Sequence, residues 1–202
     1  MIIKANHKRF YKWFYGLYAK RAISKYFNGI EVFLPEINPD KSLLVLANHH
    51  SWWDGFWAMR LNELYWKKEF YVMMLKSQLL KHKTFIGAGA FSIDPGSRSI
   101  IESINYTVEL LSNNKNMVLL FPQGKIQSQQ KNSIHFEQGV NRIIDELKNT
   151  DVLLMNTFTD YFSNKKNTLF VYGKVLTDLN NVEGDFNQFY EESKLKQSQC
   201  ML

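Results

Sequence analysis

Ser42-Leu43-Leu44-Val45-Leu46-Ala47-Asn48-His49-His50-Ser51-Trp52-Trp53-Asp54-Gly55 sets the architecture of this chain. The run Ser42–Ala47 is almost wholly apolar, as expected of a strand covered on both faces rather than on one. A polar turn follows, and residues 52–64 read as a helix. His49 and Asp54 lie five positions apart across that turn. In a regular helix five residues rotate a side chain by about 140°, so the two would diverge. They meet only with His49 in the turn and Asp54 in the first helical turn behind it. There a carboxylate holds one imidazole nitrogen and leaves the other free to take a proton from a hydroxyl. Two plainer readings fit the same residues. Ser51 to Asp54 has the spacing of a capping box, and His50 and Asp54 form an i, i+4 pair.

Outward from this segment, residues 5–27 read as an N-terminal amphipathic helix, ended by Gly29. A short strand, Ile30–Leu34, precedes a loop marked by Pro35 and Pro39. Beyond the histidine turn come a strand at Phe70–Leu75 and a short helix from Ser77 leading into Phe85–Ile93. Arg98–Ser112 reads as a helix and Met117–Phe121 as a buried strand. Glu137–Lys148 is helical, Val152–Thr157 and Thr168–Val175 are strands, and the polar tail from about 184 has helical character. Alternation of strands and helices predicts an α/β fold, a mostly parallel mixed sheet with helices on both faces. The expected division is an N-terminal helix over residues 1–29 and one α/β domain over 30–202. In such sheets ligands gather at the carboxyl ends of strands. His49, the Asp94–Arg98 loop and Pro122–Lys125 each follow an apolar strand.

The net charge of +6 is not evenly spread. Residues 1–30 carry Lys4, Lys8, Arg9, Lys12, Lys20, Arg21 and Lys25 and no acid; the remainder is nearly neutral. Phe10, Trp13, Phe14, Leu17 and Tyr18 follow helical spacing among these bases, with Tyr11 and Tyr15 off the stripe. An aromatic helix flanked by bases suits an anionic membrane surface, where each base contributes ~1 kcal/mol. The alternative is a helix packed on its own domain with solvated lysines. Bases interrupt every apolar run, so neither a signal peptide nor a spanning segment of ~20 residues is expected. Cys200 is the only cysteine, which precludes an internal disulfide and suits a reducing compartment. The basic aromatic N-terminus also suits single-stranded nucleic acid. No RNA-binding signature accompanies it, so no nucleic acid partner is expected. A metal hydrolase built on His49, His50 and Asp54 with His82 or His135 lacks a second ligand pair at recognisable spacing, and no metal is expected.

Four ordered blocks resemble the lysophospholipid (glycerolipid) acyltransferase family. Asn48–Asp54 matches its His-four-residues-Asp motif. Gly89–Arg98 resembles Gly-x-x-x-Ile-Asp-Arg-x-x-Arg, Phe121-Pro122-Gln123-Gly124 resembles Phe-Pro-Glu-Gly, and Phe136-Glu137-Gln138-Gly139 resembles Phe-Lys-x-Gly. Lys76 falls where the family often has Lys before a short helix. The resemblance covers roughly residues 40–160. It departs from the pattern at Pro95 for Arg, Gln123 for Glu, Lys125-Ile126 for Thr-Arg and Glu137 for Lys. No proline accompanies Val152–Asn156, where the family often has one.

The resemblance implies acyl transfer from acyl-CoA or acyl-carrier protein to a lipid hydroxyl, at the cytoplasmic face of the membrane, with no cofactor. His49 and Asp54 are the implied catalytic pair; Arg98, Gln123, Gly124, Lys125 and Lys76 are implied to bind substrate. Gln123 or backbone donors around Gly124 would serve the acceptor or the oxyanion. No Gly-x-Ser-x-Gly elbow is present, and direct transfer requires no enzyme nucleophile. The rewritten second and third blocks favour acyl transfer in general over a phosphate-bearing acceptor. The alternatives are an unphosphorylated glycolipid or amino-acid lipid as acceptor or, in another class, a non-enzymatic membrane- or nucleic-acid-binding protein.

Overall fold

The computed structural model describes residues 1–200. Seven strands form one sheet: β1 (Phe27–Phe33), β2 (Ser42–Ala47), β3 (Glu69–Leu75), β4 (Ala90–Ile93), β5 (Asn116–Leu120), β6 (Thr150–Asp160) and β7 (Asn167–Val175). Their order is β1-β7-β6-β2-β5-β3-β4. All neighbours are parallel except β6 and β7, which pair antiparallel. The sheet is therefore mixed, with β2 at its centre, buried along its whole length.

Six helices cover it: α1 (Arg9–Tyr26), α2 (Asp54–Leu61), α3 (Lys76–Lys81), α4 (Ile100–Leu111), α5 (Gly139–Asp145) and α6 (Val182–Ser198). Alternation along β2 divides the core. Leu43, Val45 and Ala47 join Trp57 and Leu61 of α2 and Ile23 of α1. Leu44 and Leu46 face the other way, into a cluster with Ile104, Ile143 and Phe186 of α4, α5 and α6. This two-sided cover is why the run shows no polar alternation.

The N-terminal helix begins later than its pattern predicts. Residues before Arg9 are extended and bond to the strap ending at β4: Ser92 N–H donates to Ile3 O at 2.9 Å, and Lys8 N–H to Gly87 O at 2.9 Å. Edge groups of β4 thus find partners in the chain's own N-terminus. The helix also buries the face opposite its aromatic stripe. Gly16, Ala19, Ala22 and Ile23 are buried, whereas Phe10, Trp13, Phe14 and Tyr18 are exposed. Tyr15 joins the inner side, its hydroxyl 2.6 Å from Thr84 Oγ1. Close approach is possible because Gly16 and Gly87 lack side chains; a Cβ would overlap Glu63 at the first and the ring of Tyr11 at the second. Residue 29 lies inside β1, which pairs along β7 from Phe27 onward.

Two further segments differ from the sequence reading. The helix after the histidine turn ends at Leu61 and continues as one π-helical turn, Asn62–Trp66. Residues Lys83–Ala88 form a 3₁₀ segment, leaving only Ala90–Ile93 as strand in that region.

Candidate active site

Parallel β2, β5, β3 and β4 point their carboxyl ends to one edge of the sheet, and each is followed by a residue singled out above. His49 follows β2, with Asp54 opening α2. His49 Nδ1 lies 2.6 Å from Asp54 Oδ2. The same oxygen accepts the backbone N–H groups of His50 at 2.8 Å and Ser51 at 3.0 Å. Capping and pairing are therefore one arrangement. The carboxylate folds the turn and, in doing so, takes the imidazole Nδ1–H, so Nε2 carries the lone pair. The Asp54 side chain is 2 % exposed and that of His49 22 %, so only the histidine can be reached from solvent. The Phe121 ring lies against the imidazole, centroids 4.1 Å apart and planes at 16°.

His50 faces inward. Thr157 Oγ1 donates to Asn48 Oδ1, so it must accept from His50 Nε2–H at 3.1 Å. Burial pushes the His50 imidazole pKa below its ordinary value, a shift only partly opposed by Asp54, whose Oδ1 is 3.9 Å away. His50 is neutral and tied to β6.

The turn is fixed by side-chain amides that pair with backbone as a neighbouring strand would. Asn48 Nδ2 donates to Thr157 O, and Thr157 N–H donates to Asn48 Oδ1. Gln123, after β5, does the same at His49: its Oε1 accepts His49 N–H at 3.1 Å and its Nε2 donates to His49 O at 2.9 Å. Gln129 clasps Thr159, and Asn187 of α6 clasps Ile134. These pairs hold the irregular segment between β5 and α5 against the sheet edge. Sequence reasoning missed this use of amides. The signal available was a cluster of Asn and Gln beside strand ends, where a carboxamide offers one donor and one acceptor at the spacing of a peptide group.

Two expectations change accordingly. Gln123 is buried and its amide is engaged by His49 backbone, so it positions the histidine turn from the wall of the cleft. Gly124 turns the chain with φ +66°, in the left-handed region that favours glycine. Its N–H is taken by Phe121 O at 3.0 Å, which withdraws it as an oxyanion donor.

The cations stand farther out. Lys76 Nζ is 3.3 Å from Asp94 Oδ2, an ion pair joining the ends of β3 and β4. Arg98 and Lys125 are exposed and have no carboxylate partner among the described residues. Arg98 follows β4, three strand spacings from β2, or about 14 Å along the sheet edge. Lys125 lines a cleft of about 640 Å³ with Gln123, Gln127, Lys131, Ser133 and Glu137. His135, also on this cleft, is largely exposed and pairs with Glu183 at 3.4 Å. His82 packs against Trp52. Neither converges on His49, and among the described residues no group of three His, Cys, Asp or Glu side chains could hold a metal ion.

A buried carboxylate and a partly exposed imidazole oriented by it stand at the carboxyl edge of an α/β sheet, an arrangement suited to general-base chemistry. The family model for acyltransferases matches residues 29–155, more than half of the 202-residue chain, and the chain belongs to that family of enzymes. The fold is similar to the crystal structure of the 1-acyl-sn-glycerophosphate (LPA) acyltransferase PlsC from Thermotoga maritima. The TM-score is 0.61 at 13% identity, over 94% of this chain and 80% of that one. No curated protein sequence matches the chain.

Proposed function

We propose that the protein is a peripheral-membrane O-acyltransferase moving a fatty acyl group from acyl-CoA or acyl-carrier protein to a hydroxyl of a lysophospholipid-type or related lipid acceptor. The observation carrying this reading is the 2.6 Å contact of His49 Nδ1 with buried Asp54, which leaves Nε2 free. Nε2 takes the acceptor's hydroxyl proton as its oxygen attacks the thioester carbonyl. The imidazolium is stabilised by Asp54. The tetrahedral intermediate collapses with loss of thiolate, which recovers the proton from Nε2. Both donors present the same thioester atoms to this step.

Membrane association is supported by the outward aromatic face of α1 with its flanking bases. No helix among the described residues is long and apolar enough to cross a membrane. The absence of an internal disulfide supports the cytoplasmic face. The Thermotoga maritima relative, by its name, acts on 1-acyl-sn-glycerophosphate, which supports a lysophospholipid as the first acceptor to test. A second reading, an unphosphorylated glycolipid or amino-acid lipid, is favoured by the cleft wall. Gln127, Asn132, Ser133 and Gln138 are neutral there, and Glu137 opposes Lys125 and Lys131.

Purified protein with labelled acyl-CoA or acyl-carrier protein and an acceptor panel, read by lipid mass spectrometry, tests the assignment. Thioester consumption should require a hydroxylated lipid. Thioester loss that proceeds equally without an acceptor would mean a hydrolase instead. Kinetics on matched acceptors with and without phosphate separates the two acceptor readings. A kcat/KM favouring lysophosphatidate returns the chain to the phosphate-bearing class.

A further inference from the structure

Phe121 and His49 are brought together by the sheet itself. Leu46 of β2 pairs in register with Leu120 of β5, so Ala47 and Phe121 leave the two parallel strands abreast. Ala47 belongs to the core cluster beneath α2, and Phe121 packs against the same cluster. His49, two residues past Ala47, keeps that parity. The segment after β5 then grips the turn twice. Gln123 bonds the His49 backbone, and the Phe121 ring lies over the imidazole, centroids 4.1 Å apart and planes at 16°. His50 meets its aromatic neighbour differently: Trp57 is tilted against it by 41°, at 5.6 Å.

A stacked ring does not treat the two forms of a histidine alike. The face of a phenyl ring carries partial negative charge. A neutral imidazole gains little from it beyond dispersion, whereas a cation within about 6 Å of the ring centroid is attracted. Asp54 meets the imidazole edge from α2 at 2.6 Å, and His50 stands beside it in the turn. From the end of β5 come Phe121 and the Gln123 amide, both uncharged. An imidazolium at His49 therefore has Asp54 at its edge and Phe121 at its face. The side chain of His49 is 22 % exposed, so water screens the contact only in part.

We propose that Phe121 is a positioning residue of this site: its ring holds the His49 imidazole against Asp54 and steadies the imidazolium that forms as Nε2 takes the acceptor proton. This rests on the general-base reading of His49 above. The contact strengthens as charge develops on the imidazole, so it favours the transition state over the resting enzyme. It also closes one face of the imidazole, which leaves Nε2 to be approached along the ring edge or from the opposite face.

Two substitutions separate this role from packing. Phe121→Leu keeps apolar bulk and removes the aromatic face, whereas Phe121→Trp enlarges that face. Proton NMR titration of the full chain follows the His49 ring, assigned by the signal missing from His49→Ala. In Phe121→Leu its midpoint should fall by about 0.5–1 pH unit, because the imidazolium loses a partner and gives up its proton more readily. In Phe121→Trp it should rise by a few tenths of a unit. The acid limb of the kcat profile should move down with the midpoint in Phe121→Leu, to a plateau about threefold to tenfold lower. The acceptor KM should change little. Coincident midpoints in wild type and Phe121→Leu overturn the inference, even if kcat falls, and leave Phe121 as packing alone. Should Phe121→Leu fail to fold by circular dichroism, Phe121→Trp decides, and a midpoint that does not rise overturns it. Acyl transfer that survives in His49→Ala would instead overturn the general-base reading, a result to which the titration is indifferent.

Discussion

The two halves of the strand-end site are built differently. Around His49 and Asp54 the turn is densely bonded: three N–H bonds converge on one carboxylate oxygen, and amides of Asn48 and Gln123 tie the turn to β6 and β5. Around Arg98 and Lys125 the side chains are exposed and unpaired, and the loops carrying them depart most from the family pattern. The first half holds one imidazole nitrogen by a 2.6 Å contact with a buried carboxylate, an arrangement suited to proton transfer. In the proposed reading the second half attracts a polar headgroup, which long, solvated cations can do in many geometries. The difference teaches that this chain ties its histidine turn down with buried hydrogen bonds and leaves the cations around it free in solvent.

The sharpest way to break that contrast is at the rigid half. His49→Ala should lower kcat by about 10²–10⁴-fold with the fold intact, since alanine cannot accept the proton. Asp54→Asn should approach the same loss, because an amide presented to Nδ1 can favour the wrong tautomer. His50→Ala should be much milder, as its ring faces Thr157 and not the site. Equal loss from both histidine variants, with circular dichroism unchanged, would count against His49 as the base.

Gln123→Glu tests whether positioning matters as much as chemistry. A carboxylate still accepts His49 N–H but sets a second oxygen against His49 O, where Nε2 now donates. Leaving that buried pair unsatisfied costs about 1–3 kcal/mol. Activity should fall about tenfold to a hundredfold, mainly in kcat, with unchanged KM for the acceptor. A change confined to KM would restore Gln123 to the acceptor site.

The loose half should respond less. Arg98→Ala and Lys125→Ala are expected to raise KM a few-fold, about 1 kcal/mol each, with kcat retained. The effect should be larger on phosphate-bearing acceptors than on neutral ones and should shrink with added salt. Loss of kcat in either variant would bring a cation to the reacting atoms and erase the contrast between the halves.

Legibility in the sequence follows the same division. The apolar run of β2, the alternation of elements and the five-residue step from His49 to Asp54 are local patterns, and they gave a mixed α/β sheet with the pair across a turn. Interactions between distant segments were not legible. Gln123 carries no sign of its bond to His49, and Asn48 none of its bond to Thr157, because either amide is equally at home in water. The aromatic stripe of α1 was visible, but the packing face is made by Gly16, Ala19 and Ala22. Small residues leave little periodic signal, although they allow the closest approach.

The smallest expected effect concerns the hinge between the halves and the core, at His50. Burial holds its imidazole pKa below the ordinary value of 6.5. As pH falls through 6.5, the unfolded chain binds a proton that the folded chain does not, so the stabilisation present above 6.5 is progressively lost. One such group contributes a slope of at most about 1.4 kcal/mol per pH unit. His50→Gln cannot titrate, yet its amide can still donate to Thr157 Oγ1. Denaturant titrations from neutral to mildly acidic pH should show a shallower loss of stability in this variant, with nearly unchanged stability at neutral pH. Asp54 Oδ1, buried without a partner 3.9 Å from His50 Nε2, pulls the other way. If that carboxylate dominates, protonation of His50 is favoured in the folded state, and the wild type will gain stability on acidification relative to His50→Gln. The sign of the difference between the two slopes therefore decides whether burial or the carboxylate governs His50.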